Sequence, residues 1–141
     1  MPSKDSHLDQ AKSNIRFLSL FYNGENFNDW AVTVAFYSCL HVVEFGIDSL
    51  ESIPQEARIR KDTENHHKRI FRLVENYFKE IEDDYKHLYK QSRSSRYYFY
   101  KPHKLAAELL IKVQMRNILN WSNLKFGTDL KYEVEKSAVK R

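Results

Sequence analysis

Residues 29–50 read DWAVTVAFYSCLHVVEFGIDSL, and this stretch decides the fold. Its apolar side chains recur every three or four residues, the spacing of one helix face, at Phe36, Leu40, Val43, Ile47 and Leu50. The opposite stripe begins with apolar residues and ends with His41, Glu44 and Asp48. A helix that is apolar on most sides is usually central in its fold. The sequence therefore predicts a buried helix over 29–50, capped by Asn28, with His41 and Glu44 near or inside a bundle.

The remaining periodic segments predict three more main helices. The first covers about 6–22, with capping-box spacing between Ser6 and Asp9 and an end at Asn23-Gly24. The third covers about 66–91, and the fourth runs to about 124, with Pro102 in its first turn and Gly127 after its end. Residues 51–65 form the connection that we expect to be mobile, and the charged residues from 128 form a frayed tail or a short surface helix.

The composition favours one small all-α domain. Three Gly and three Pro among 141 residues supply few turns, which favours long helices over strands. We expect a compact up-and-down bundle of four main helices and a short extra helical turn, as a single domain spanning residues 1–141, with a core of about 6–124 and a tail of 128–141.

The cysteine count and the hydropathy pattern suggest a cytoplasmic protein. Cys39 is the single cysteine, so no disulfide forms within the chain. The first ten residues are polar and lack the apolar core of a signal peptide. The longest apolar stretch, 31–47, is interrupted by polar residues and shorter than the roughly 20 residues of a membrane span, so we expect no membrane partner.

Metal and cofactor chemistry finds little support in the sequence. His41-x-x-Glu44 has the spacing used in di-iron bundles, but those need a second such pair and two further glutamates. His66 and His67 point in different directions on a helix, which makes them poor chelators. There is no HExxH, P-loop or dinucleotide-binding glycine motif. We therefore expect neither a metal nor a cofactor.

Residues 85–107 carry no Asp or Glu but six basic side chains, at Lys86, Lys90, Arg93, Arg96, Lys101 and Lys104. Tyrosines and a phenylalanine alternate with them. Cations attract phosphates and aromatic faces stack on bases, so this stretch suits single-stranded RNA. The alternative is a helix end with solvated lysines and core tyrosines.

Arg96 is followed after six residues by His103, and here the chain resembles the HEPN superfamily. The resemblance covers roughly residues 6–122 and rests on four stretches, namely residues 29–37 followed by His41, His67-Lys-Arg69, Tyr85-Lys-His-Leu88, and Ser92-Arg93-x-x-Arg96-Tyr97. It implies a metal-independent RNA endonuclease that works as a homodimer in a toxin–antitoxin or defence context, with an antitoxin or another partner protein.

The resemblance also implies roles for individual residues. Arg96 would hold the scissile phosphate and His103 would transfer the proton, with supporting contacts from Arg93, Tyr97, Lys101 and Lys104. His41 and Glu44 would orient Arg96 or replace His103 as the base, unless they form a buried pair that satisfies its own hydrogen bonds. The alternative function is a non-catalytic helical module that binds RNA, a nucleotide or a partner protein, or a plain dimerisation domain.

Overall fold

Helices make up the fold in the computed structural model, which describes residues 3–22, 28–97 and 104–133. The predicted all-α class is confirmed, since these residues contain no strand. The helices are α1 (Lys4–Phe21), α2 (Asn28–Ser49), α3 (Gln55–Arg58), α4 (His66–Tyr77), α5 (Glu82–Tyr97), α6 (Lys104–Leu109) and α7 (Arg116–Phe126). A 3₁₀ turn (Lys79–Ile81) precedes α5, and a π-helical segment (Leu110–Met115) joins α6 to α7.

Helix α2 is the centre of the core, as the sequence predicts. It packs against α1, α4, α5, α6, α7 and the π-helical segment. Phe36, Val43 and Ile47 are fully buried. The helix is long and apolar enough to cross a membrane, but 72% of its most apolar window is buried inside the protein. Helix α2 therefore has the burial of a core helix.

Helix α1 lies along α2 and begins earlier than the sequence predicts. Its N-cap is Ser3, whose hydroxyl accepts a hydrogen bond from the Ser6 backbone N–H at 3.2 Å. The predicted Ser6–Asp9 capping box is therefore wrong, because Ser3 already satisfies the first turn. The predicted end at Asn23-Gly24 lies outside the described residues.

The single helix predicted over 66–91 is broken at Phe78, where φ is −130° and ψ is 50°. Phe78 is fully buried, and its ring centroid lies 4.8 Å from that of Trp121. This position lets the chain turn and place Phe78 in the core beside α7. Helix α5 then extends to Tyr97, and the start of α4 is capped by Asn65, which accepts from the Lys68 N–H at 2.9 Å.

The last predicted helix contains a π-helical segment that changes which side chains face the core. In a π-helix each backbone bond spans one extra residue, which rotates the following side chains. Leu109, just before the segment, and Val113, within it, are 49% and 41% exposed. Leu110 and Met115 are buried as the helix continues. Gly127 ends α7 as predicted, with a φ of 71°, whereas Pro102 lies beyond the part of the chain that the structure describes.

The segment that follows α7 packs onto the core. Leu130 is 3% exposed, and the Asn123 side chain bonds both to its N–H and to its carbonyl, at 2.8 and 2.7 Å. The prediction of a frayed tail or surface helix is thus wrong for residues 128–133. The rest of the predicted tail, 134–141, is not among the described residues.

Candidate functional site

A cleft of about 450 Å³ opens where α1, α2, α4 and the 51–65 connection meet. Seven charged or titratable side chains line it: His7 from α1, Glu44 and Asp48 from α2, Arg58 and Arg60 from the connection, and His66 and Arg69 from α4. These residues are far apart in the sequence, and the fold brings them together. We call this feature the Glu44 cleft.

The carboxylate of Glu44 is the centre of this cluster. Glu44 is only 6% exposed. Its Oε1 accepts a hydrogen bond from Arg69 Nη1 at 3.0 Å, and Arg69 Nε donates to the carbonyl of Arg58. His66 Nε2 lies 3.7 Å from Oε1, and His7 Nε2 lies 3.7 Å from Oε2. A buried carboxylate needs such compensation, and Arg69 supplies it with an opposite charge and a hydrogen bond.

His41 meets the cluster through His7. The two Nδ1 atoms are 3.0 Å apart, so one donates and the other accepts. Burial, followed by the nearby His7 and His66, lowers the pKa of His41. His41 is therefore neutral at neutral pH and can take part in this bond. The direct pair of His41 with Glu44 that the sequence suggested is replaced by a chain from His41 through His7 to Glu44.

His66 is the most accessible histidine of the cluster. Its side chain is 57% exposed, and it is the first residue of α4. Because Nε2 faces the Glu44 carboxylate, Nδ1 is the ring nitrogen left to meet a ligand. A carboxylate beside an imidazole is a common arrangement for general acid–base catalysis.

Sequence reasoning missed His7, His66 and Arg69 as members of a site. His7 is about 37 residues before Glu44 and lies on another helix, so no local spacing connects them. The available signal was the run His66-His67-Lys-Arg69 at the start of a predicted helix, which puts one imidazole and one guanidinium a single turn apart.

Two arginines fix the wall of the cleft that the 51–65 connection supplies. Arg58 donates to the carbonyls of Leu50 and Ile53, at 2.6 and 3.1 Å. Arg72 binds the Glu64 carboxylate through two nitrogens, at 2.6 and 3.0 Å. These bonds lower the pKa of Glu64 to about 2. Charged hydrogen bonds therefore tie this wall to α2 and α4.

The balance of fixed charges in the cleft favours an anion. Its lining has three guanidinium groups, from Arg58, Arg60 and Arg69, and two carboxylates, from Glu44 and Asp48. Counting only these five groups, one positive charge remains. A phosphate-bearing ligand fits this balance. Among the described residues, no group of three or more His, Cys, Asp or Glu is placed to hold a metal ion.

The sequence-predicted catalytic pair falls largely outside the described residues. The backbone of Arg96 and Tyr97 forms the end of α5, and Lys104 begins α6, but their side chains are not described. Lys101 and His103 lie in the undescribed segment between these helices. Arg93 is exposed, and its Nη1 donates to the hydroxyl of Tyr89 at 2.9 Å.

The backbone of Arg96 lies far from the Glu44 cleft. Helices α2 and α5 run antiparallel, since Tyr89 packs on Phe36 while the Phe78 end of α5 packs near Gly46 through Trp121. Arg96 is seven residues beyond Tyr89, and Glu44 is eight residues from Phe36 in the opposite direction. At 1.5 Å per residue, these steps span about 10 and about 12 Å. The two candidate regions therefore lie at opposite ends of the α2–α5 pair.

Comparison of the chain with protein-family models, with curated proteins and with solved structures finds no match. The similarity to HEPN proteins consequently stays a prediction from the residues quoted above.

Proposed function

We propose that this chain is a metal-independent RNA endonuclease in which His66 and Glu44 of the Glu44 cleft carry the proton-transfer chemistry. One observation carries the proposal: an exposed imidazole lies 3.7 Å from a buried carboxylate that Arg69 holds in place. The HEPN-like up-and-down bundle, the homodimer, and the toxin–antitoxin or defence context belong to the same proposal, as does a cognate antitoxin or partner protein.

RNA supplies the nucleophile for such a reaction. His66 accepts the proton of a 2′-hydroxyl as its oxygen attacks phosphorus, and the bond from phosphorus to the 5′-oxygen breaks. The leaving oxygen takes a proton from the acidic form of an imidazole or from water. The products are a 2′,3′-cyclic phosphate and a 5′-hydroxyl. Arg60 at the cleft would offset the charge that builds up on the phosphate.

Arg96 and His103 remain the alternative location of the same activity. The distance between the two regions lets mutagenesis separate them. If the chain pairs with a second copy, as the resemblance implies, Arg96 of one copy and the Glu44 cleft of the other could act on one strand.

The experiment is cleavage of labelled single-stranded and structured RNAs in excess EDTA. We expect wild type to cleave and His66→Ala and Glu44→Gln to lose activity, while His87→Ala, an exposed histidine on α5, serves as the matched control. Loss of activity confined to Arg96→Ala and His103→Ala would move the site to the C-terminal end of α5. Full activity in all five variants would contradict both locations.

A non-catalytic module that binds RNA, a nucleotide or a protein is the second candidate. It is favoured by the internal bonding of the cluster, because Arg69 and both ring nitrogens of His7 already have protein partners. Absence of cleavage by wild type, together with retained RNA binding, would support this candidate.

A further inference from the structure

Helix α5 extends past the point where α4 begins. The two helices run antiparallel, since Phe71 contacts Tyr89 with ring centroids 4.8 Å apart and Glu75 binds Lys86 further along. Residue His67, one position after the start of α4, lies 5.0 Å from the Tyr89 ring. The face of α5 that meets α4 therefore continues for about two turns without α4 beside it. We call residues 90–97 the α5 overhang.

The overhang is basic on its accessible side. Lys90 and Arg93 are exposed, and Arg93 is positioned by its bond to the Tyr89 hydroxyl at 2.9 Å. The nearest acidic residue before them on α5 is Asp84, and none follows on this helix. Exposed cations attract a phosphate backbone.

Two partly exposed rings stand where the overhang begins. His67 and Tyr89 are half-buried, and Phe36 and Phe71 pack behind them. Rings held in this way lose little freedom when a base stacks on them.

The rings also connect the overhang to the Glu44 cleft. His66, which faces the cleft, and His67, which faces Tyr89, are adjacent at the start of α4, with ring centroids 5.9 Å apart. A ligand that leaves the cleft over the start of α4 therefore meets the rings first and the cations next.

From this placement we propose that His67, Tyr89, Lys90 and Arg93 form a track that holds a single-stranded RNA between the Glu44 cleft and the end of α5. The occupant is a single strand, because stacking on a protein ring needs a base whose face is free, and in a duplex both faces are covered. The choice of RNA rests on the proposed function, whereas the position of the track rests on the contacts above.

The test is fluorescence anisotropy with a labelled, 2′-O-methylated single-stranded oligoribonucleotide, which lacks the attacking hydroxyl and cannot be cleaved. We expect Lys90→Gln and Arg93→Gln each to weaken binding several-fold at low salt and to reduce the log–log salt slope by about 0.7. Tyr89→Leu should weaken binding about tenfold. Lys131→Gln, an equal loss of charge at an exposed side chain after α7, should bind like wild type.

The track is overturned if the oligonucleotide does not bind, if Lys131→Gln loses as much affinity as Lys90→Gln, or if a blunt duplex binds as tightly as the single strand. Because Tyr89 is partly buried, binding by Tyr89→Leu is interpreted only if this variant has the melting temperature of wild type. If it does not, the test rests on Lys90→Gln and Arg93→Gln. Binding without any cleavage of natural RNA would reject the nuclease and leave the track standing. Cleavage of natural RNA at the wild-type rate by the track variants would reject the track and leave the nuclease standing.

Discussion

His41 shows how a single residue links the cleft to stability. Its pKa is lowered by burial and by His7 and His66, so the folded protein binds this proton less readily than the unfolded chain. Its contribution to stability is therefore complete above the ordinary histidine pKa near 6.5 and is lost as the pH falls below it. We expect the melting temperature to fall between pH 7.5 and pH 5, and to fall less in His41→Gln. Equal pH dependence in the two proteins would contradict this account; His87→Gln is the control.

The rings packed against Gly46 leave little room for a side chain at this position. A Cβ at this position would lie 3.1 Å from ring atoms of both Trp121 and Phe126. Trp121 is held by a hydrogen bond to Glu80 at 3.1 Å and cannot easily move. We expect Gly46→Ala to destabilise the protein by about 1 kcal/mol despite the better helix propensity of alanine, as measured by urea unfolding. Adding Phe126→Leu to Gly46→Ala should restore part of the lost free energy of unfolding. If it restores none, a clash with the Phe126 ring is ruled out.

At the scale of elements, Arg72 holds the 51–65 connection against α4. Besides Glu64, its guanidinium binds the carbonyls of Ala57 and Ile59 at 2.8 and 3.2 Å. A lysine cannot form this set of planar contacts. We therefore predict that Arg72→Lys raises hydrogen exchange at residues 57–64 and leaves α2 protected. Arg16→Lys, on the exposed side of α1, is the control, and unchanged exchange in the Arg72 variant would show that other contacts hold the wall.

The sequence predicted where helices form better than where they are broken or change their geometry. Periodicity located α1, α2 and the start of α4 within a few residues, because each presents a regular apolar stripe. It missed the break at Phe78 and the π-helical segment, because both depend on which side chains meet across the core. Phe78 packs against Trp121 in the core, and in the π-helical segment Leu110 and Met115 are buried while Val113 is exposed.

The candidate site was predictable only in part for the same reason. His41 and Glu44 stood out because they interrupt an apolar helix. Their partners His7, His66 and Arg69 come from α1 and α4, and no spacing along the chain predicts that meeting. Arg96 and His103 were chosen from a family resemblance, and their roles stay a prediction.

At the scale of the whole molecule, the proposed track places the half-buried rings of His67 and Tyr89 and the exposed Lys90 and Arg93 between the Glu44 cleft and the end of α5. On this proposal a single strand reaches both regions, whether they act in one chain or across two copies. A homodimer remains a proposal, and its mass in solution can be measured with the same samples used for RNA binding.

The most direct test of the central claim is the ratio of initial RNA cleavage rates for wild type and His66→Ala in excess EDTA. General acid–base catalysis typically contributes about 10²- to 10⁴-fold, so we predict a ratio of at least about 100, with 2′,3′-cyclic phosphate ends on the wild-type products. A ratio near one, in a variant that melts like wild type, would contradict the assignment of proton transfer to the Glu44 cleft.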